Sequence, residues 1–381
     1  MKDLRTERLA RLLVEHSCAL KEGEKVVVEA IGAPVEPVLE IVREARRRGA
    51  SPLVWLKDDR IIREIAAGCG DDDVRFMADS ELHALRQAQA MISLRAVHNA
   101  HEYGDVPKER FGRVLRGYVG PVHLDYRNRH LRWVALRWPT PAQAQRAAMS
   151  TEAFEDFFFE VCLVDYARME REMEPLVSLL RDTDRVRIAG PGETDLRFSI
   201  RGIGARPSAG RHNLPDGEVF TAPVRDSVEG RIAFNVRSTF YGTTFSNVRL
   251  AFRRGRIVEA ASDQARRLEE ILDQDEGARF LGEFALGLNP VIRRPIDDLL
   301  FDEKMTGSLH VAAGNAYDVC DNGNRSAIHW DLILMQSAEG GGGELYFDDR
   351  LVRKDGLFVL PGLEGLNPRA ADSRQARQEE V

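Results

Sequence analysis

With 381 residues, the chain exceeds the roughly 250 to 300 at which a single hydrophobic core stops growing, so two domains are expected. Its 43% hydrophobic and 30% charged content is that of a globular enzyme, and no apolar run approaches the roughly 18 residues needed to span a bilayer, which argues against a membrane role. Lys plus Arg number 54 against 61 Asp plus Glu, a net charge of −7, so no global basic field invites nucleic acid.

The first 24 residues, MKDLRTERLARLLVEHSCALKEGE, place Leu4, Leu9, Leu12 and Leu13 at helical spacing and lack the continuous apolar segment of a secretion signal, so a cytoplasmic protein is expected. Cys18, Cys69, Cys162 and Cys320 form no C-x-x-C pair, which argues against disulfides and a thiolate zinc site. Residues 25–28 read as a strand. Residues 34–48 carry Val38, Ile41, Val42 and Ala45 at helical spacing, Gly49 stops that helix, and 52–56 resume as a strand. A helix over 79–89 and a strand over 90–94 extend the alternation, so a parallel sheet flanked by helices is expected. No G-x-G-x-x-G or Walker motif follows any of these strands, and the fold alone does not imply a nucleotide. His98 and His101 fall in a loop. Residues 134–139 read as a further short strand closed by proline.

Ser150 and Thr151 followed by Glu152, Glu155 and Asp156 give the cap and acidic first turn of a long helix. Phe154, Phe157, Phe158, Val161, Tyr166, Met169 and Met173 form its apolar stripe as far as about Arg181. This helix is expected to end an α/β first domain over 1–183 and to lead into a second over 184–381. There the hydrophobic period changes to two, with strands near 185–189, 195–201, 219–224, 231–236, 248–252 and 256–260 and one helix over 262–274. The second domain is therefore expected to be β-rich α+β, with a polar, frayed tail after Asn367.

Chemistry concentrates in this second half. Residues 308–334 hold His310 and His329, each in an apolar run of strand type, joined by a Gly/Asn-rich connection. Side chains alternate faces along a strand, so His329 and Asp331 should point the same way. Tyr317 lies where the first run gives way to loop. Upstream, Glu218 stands at the junction of a Pro-Asp-Gly turn and a strand, and Glu283 sits among Leu281, Phe284, Ala285 and Leu286 between glycines. A carboxylate in apolar company is costly unless a cation compensates it, either a metal or a basic side chain such as Lys304. Cys320 reads as a small loop residue, with ligand or nucleophile as the sharper alternative.

In order, NLPDGEVFTAP, DSVEG, GARFLGEFALGLNP, FDEK, LHVAAGNAY and NRSAIHWD resemble the thermophilic aminopeptidase family of metallopeptidases, the leucyl aminopeptidase T-like group. The resemblance covers most of the chain, including GEKVVVEA and RRRGASPLV near the first strands. It implies a homodimer and a dinuclear centre of two divalent ions held by Glu218, Glu283, His310, Tyr317, His329 and Asp331. Carboxylate oxygens with imidazole nitrogens suit Zn, Co or Mn. Two such ions, roughly 3.5 to 4 Å apart, share a bridging hydroxide of lowered pKa and polarise a scissile carbonyl. The expected activity is release of N-terminal residues from peptides with a free amine. Tyr317 would be a ligand or a stabiliser of the tetrahedral intermediate. Lys304 would help polarise the carbonyl, or form a salt bridge to Glu303 or Asp302. The alternative is a mononuclear non-haem iron, ring-cleaving dioxygenase of the dihydroxypyridine type. It would use His310, His329 and Asp331, with Glu218 and Glu283 behind them and His98 or His101 as a base.

Overall fold

A computed structural model describes residues 3–369, so most of the tail expected to fray lies outside the described residues. The chain divides into two compact units, Met1–Val164 with Gly210–Pro215, and Asp165–Ala209 with Asp216–Val381.

The first unit is built on a five-stranded parallel sheet in the order Ser51–Lys57, Lys25–Ile31, Ala90–Arg95, Arg132–Arg137, Asn213–Leu214. Val26, Val27 and Val28 are buried in succession, as a strand covered on both faces requires. The helix Val35–Arg47 turns Val38, Ile41 and Ala45 inward, and Gly49, at φ +73°, lets the chain reverse into the next strand. The helix expected from residue 79 starts earlier, at Asp71, because three aspartates favour its first turn. With the helical segment Leu115–Arg127 it covers one sheet face through Val74, Ala78, Leu85, Tyr118 and Val122.

Under that cover Lys57 Nζ lies 2.6 Å from Glu29 Oε1 and also bonds Glu81, with His123 close by. Burial pushes the His123 imidazole down to about 4; Glu29 pulls the other way, while Arg127 and Lys57 add to the lowering. An unfolded chain takes up that proton near the ordinary value of 6.5 and the folded chain only near 4. Stability is therefore full above pH 6.5 and falls as pH drops through that window, by up to about 3 kcal/mol. Urea unfolding at pH 7 and pH 4.5 should show this loss, and His123→Phe should remove most of it.

The long helix expected over 150–181 is two helices, Thr151–Cys162 and Tyr166–Asp182. The break is enforced by Asp165, whose carboxylate accepts from Arg168 N at 2.9 Å and so starts a new helix. Tyr166, Met169, Met173, Leu176, Val177 and Leu180 are buried on the second helix, which belongs to the second unit. The division consequently falls at Val164/Asp165 instead of at 183/184, and a short excursion, Gly210–Pro215, returns to the first unit.

The second unit carries two main antiparallel sheets, as its period-two pattern predicts. The larger has eight strands, with Thr194–Ser199 and Arg185–Gly190 at its centre. The smaller runs His329–Met335, Ser308–Gly314, Leu281–Gly287, Glu218–Thr221, Arg206–Ser208. Phe198 of the larger sheet meets Phe284 of the smaller edge to face, ring centres 5.2 Å apart. Glu283 and Ala285, flanking Phe284 in sequence, therefore lie on the opposite face of the smaller sheet.

Candidate metal centre

The strand register collects the candidate residues on that face. Ala312 pairs with Asp331 on one side and Glu283 on the other; His310 pairs with Ala285, Gly314 with His329, and Gly287 with Glu218. Every candidate ligand on these strands thus faces an Ala or a Gly, which leaves room above the sheet between the donors.

A β-bulge lies immediately before Glu283 on its strand. Leu281 pairs with Ala313 and Glu283 with Ala312, so Gly282 is an extra residue on its strand. The unbroken pairing from Glu283 to Leu286 sets Glu283 on this face by alternation, and the extra residue turns Leu281 to the other one. Gly282 is there because its strand passes tight against the chain after Gly314: a Cβ would come 2.4 Å from Gly314 O and 2.3 Å from Asn315 O.

Two overlapping donor groups result, Glu218–Glu283–His310 and Glu283–His329–Asp331, each with ligand-type atoms within 4.8 Å of one another. His310 Nε2 is 3.5 Å from Glu218 Oε2 and 3.4 Å from Glu283 Oε1; His329 Nε2 is 3.2 Å from Glu283 Oε2 and 3.4 Å from Asp331 Oδ1. Glu283 gives one oxygen to each group. His329 Nδ1 lies 2.8 Å from Asn315 O; donation to that carbonyl orients the ring so that Nε2 is the atom turned to the carboxylates, and the one free to coordinate once its proton is displaced.

These are deeply buried charges, with Glu283 3% and His310 1% exposed. Burial opposes a charge on His310, yet Glu283, Glu218 and Asp331 together lift its imidazole to about 9. His329 is raised in the same way, against burial, by Tyr317 and Asp331. Burial acts to raise the Glu283 carboxyl, but hydrogen bonds from His310 and His329 hold it below the ordinary range. Protons on imidazole here take the place of a cation. Glu218 Oε2 and Asp331 Oδ1 are buried without a hydrogen-bond partner, which a native interior rarely tolerates and which a coordinated ion would resolve. The residues present therefore fit divalent metal.

Lys304 and Tyr317 depart in part from expectation. Lys304, 1% exposed, places Nζ 2.6 Å from Glu218 Oε1 and 2.8 Å from Glu303 Oε1, with Asp216 Oδ1 at 3.8 Å. Its basic partner role goes to Glu218 and Glu303, not to Glu283 or to Asp302, whose carboxylate accepts instead from Ile296 N at 2.7 Å. Two of its three donors are thus directed at carboxylates. Tyr317 is 47% exposed and its ring lies on His329, centres 4.6 Å apart. His329 pulls its phenol down, but the negative charges of Glu283 and Asp331 work to raise it, and it stays above the ordinary value. Cys320 is buried, its thiol pushed up to about 12 by burial and directed at Phe220 O, 3.9 Å away, so it is a poor ligand or nucleophile. His98 and His101 belong to the first unit, where His98 Nε2 lies 2.9 Å from Gly32 O.

Asp216 and Glu303 are the additions that sequence reading misses as site components. Burial pushes the Glu303 carboxyl up to about 8 against the pull of Lys304. The signal is present in both cases: Asp216 is the middle residue of the Pro-Asp-Gly turn before Glu218, and Glu303 is the second acid of FDEK.

Comparison with known proteins agrees with this architecture. The chain is 27% identical over 380 residues to aminopeptidase T of Thermus thermophilus, covering 86% of this chain and 91% of that protein. In structure it is similar to wild-type AmpT from the same organism, with a TM-score of 0.77, 24% identity and coverage of 94% and 99%. It is also similar to 2,5-dihydroxypyridine dioxygenase from Pseudomonas putida, at a TM-score of 0.59 and 16% identity, covering 94% and 98%. These two likenesses establish a shared fold. The family model described as thermophilic metalloprotease (M29) matches residues 2–342, nearly the whole chain, and the chain belongs to that family.

Proposed function

We propose that the chain is a metal-dependent aminopeptidase whose centre holds two divalent ions, one in each donor group. The observation that carries this reading is the sharing of Glu283, whose two oxygens face different imidazoles. Charge supports it. Even with Glu303 protonated, Asp216, Glu218, Glu283 and Asp331 set four buried carboxylates against one ammonium, Lys304, an excess of negative charge that bound cations would offset. The aminopeptidase T relative supports the choice of peptides with a free N-terminus as substrate.

Bound there, Zn, Co or Mn ions would acidify a shared water to hydroxide and polarise the scissile carbonyl. The chain's own residues supply the rest. Lys304 ties one oxygen of Glu218 and so leaves the other, Oε2, directed at the first group. Asn315 holds His329 in the tautomer its group requires. Tyr317, protonated and half exposed beside His329, is placed to donate to the oxyanion of the tetrahedral intermediate.

Among the described residues no helix is long and apolar enough to cross a membrane. The direct test is titration of chelated protein with each metal, followed on unblocked and N-acetylated aminoacyl substrates. Activity should return only as the second equivalent binds and only on unblocked substrates. One iron per chain, or equal rates on blocked and free forms, would overturn the reading.

A further inference from the structure

The connection between the strands Ser308–Gly314 and His329–Met335 carries Tyr317 and supplies the carbonyl that holds His329, so its conformation decides where that imidazole stands. Irregular backbone of this kind has to be held by side chains. Asn322 donates from Nδ2 to Pro223 O at 2.7 Å and to Leu281 O at 2.8 Å, which ties the connection to the sheet. Asn324, 1% exposed, makes a second clamp: Nδ2 donates to Gly314 O at 2.6 Å and to Gly277 O at 2.9 Å, and Oδ1 accepts from Arg225 Nε at 3.0 Å. Arg225 is itself held, its guanidinium lying over the Phe280 ring 3.7 Å from the centre. The main chain of Asn324 continues the clamp, its carbonyl accepting from Ala316 N at 3.2 Å.

Asn324 therefore grips both neighbours of Asn315, Gly314 through its amide and Ala316 through its carbonyl. The Ala316 N–H belongs to the same planar peptide group as the Asn315 carbonyl, and in a trans peptide the two point in opposite directions. Fixing the N–H on Asn324 consequently aims the carbonyl at His329 Nδ1, 2.8 Å away. We propose that Asn324 is a positioning residue for the metal centre: anchored through its buried amide, it orients the Asn315–Ala316 peptide, and that peptide aims His329 Nε2 at Glu283 and Asp331. Asn324 binds no ion and touches no substrate; it acts through His329 alone. This rests on the reading of His329 as a ligand in a two-ion aminopeptidase centre.

The test is equilibrium dialysis of chelated protein against Zn²⁺, with thermal unfolding of the metal-free proteins as the check on folding. Groups that orient a metal-binding imidazole are worth roughly 10 to 100-fold in affinity, so Asn324→Ala should weaken one of the two zinc ions by about that factor and leave the other nearly as in wild type. Arg225→Gln removes only the bond to Oδ1 from a part-exposed side chain, and should weaken the same ion to a smaller degree in a protein that still folds. In a His329→Ala background, which lacks the imidazole to be aimed, Asn324→Ala should change zinc binding no further. A residue that only secured the fold would lower the unfolding temperature without selecting one ion and without this dependence on His329. Both ions weakened alike, neither weakened, or the same loss with and without His329 would overturn the positioning role. A wild type that holds a single zinc would overturn the two-ion reading, and the positioning role would then survive only if Asn324→Ala weakens that ion.

Discussion

Glu283→Gln should cost the protein both ions at once and lower kcat/KM by about 10³-fold or more, about 4 kcal/mol of transition-state stabilisation. The expectation follows from geometry. Oε1 of Glu283 is 3.4 Å from His310 and Oε2 is 3.2 Å from His329, so a single carboxylate serves both donor groups. An amide keeps the shape but offers one acceptor oxygen and one donor nitrogen, and the donor turned toward a cation is repulsive. The one remaining oxygen can serve only one group and only as a neutral donor, so both groups lose the charged ligand and one falls to two donors. Glu218→Gln and Asp331→Asn each damage one group only, so each should lose one ion preferentially. Inductively coupled plasma analysis after dialysis against limiting metal would read the stoichiometry. Two tightly held ions in Glu283→Gln, with normal turnover, would show that the carboxylate is not shared.

The second large effect should come from a residue with no side chain. Gly282→Val would bring Cβ within 2.4 Å of Gly314 O and 2.3 Å of Asn315 O, both backbone atoms that no rotamer change can move. Relief requires the strands to separate or the bulge to be lost, and losing the bulge reverses the facing of Leu281 and strains the strand that carries Glu283. The expected cost is about 4 kcal/mol or more, a fall in Tm on the order of 10 °C, accompanied by loss of metal. Thermal unfolding by circular dichroism with and without added metal would check it. In wild type the ions should raise Tm; in Gly282→Val this metal-dependent rise should be lost.

Much of this arrangement was legible before any coordinates. Val26 to Val28, Val38 with Ile41 and Ala45, and the alternation after Asp184 specified the parallel and antiparallel halves, because each element buries its own periodic face. The six candidate ligands were named from motif resemblance, and the strand register brings five of them to one face; Tyr317 joins at the loop through its contact with His329. Simple alternation would have put Leu281 and Glu283 on the same face; the bulge at Gly282 separates them, and a bulge depends on what the neighbouring strand does. The break at Asp165 was hidden because Tyr166, Met169 and Met173 continue the apolar stripe of the preceding helix, while a capping carboxylate looks like any helical acid. The roles of Asp216 and Glu303 depend on where Lys304 Nζ points, which no spacing rule supplies.

The excursion of Gly210–Pro215 into the first unit has a consequence for anyone wishing to dissect the molecule. Asn213–Leu214 adds to the parallel sheet beside Arg132–Arg137, and only three residues separate it from Glu218. No single cut point yields a complete second unit: a fragment starting at Asp165 carries an orphan strand whose partner has been left behind, and one starting after it discards the Tyr166–Asp182 helix. Chimaeras that exchange the first unit must therefore graft this hexapeptide along with it, even though it sits some fifty residues beyond the apparent seam.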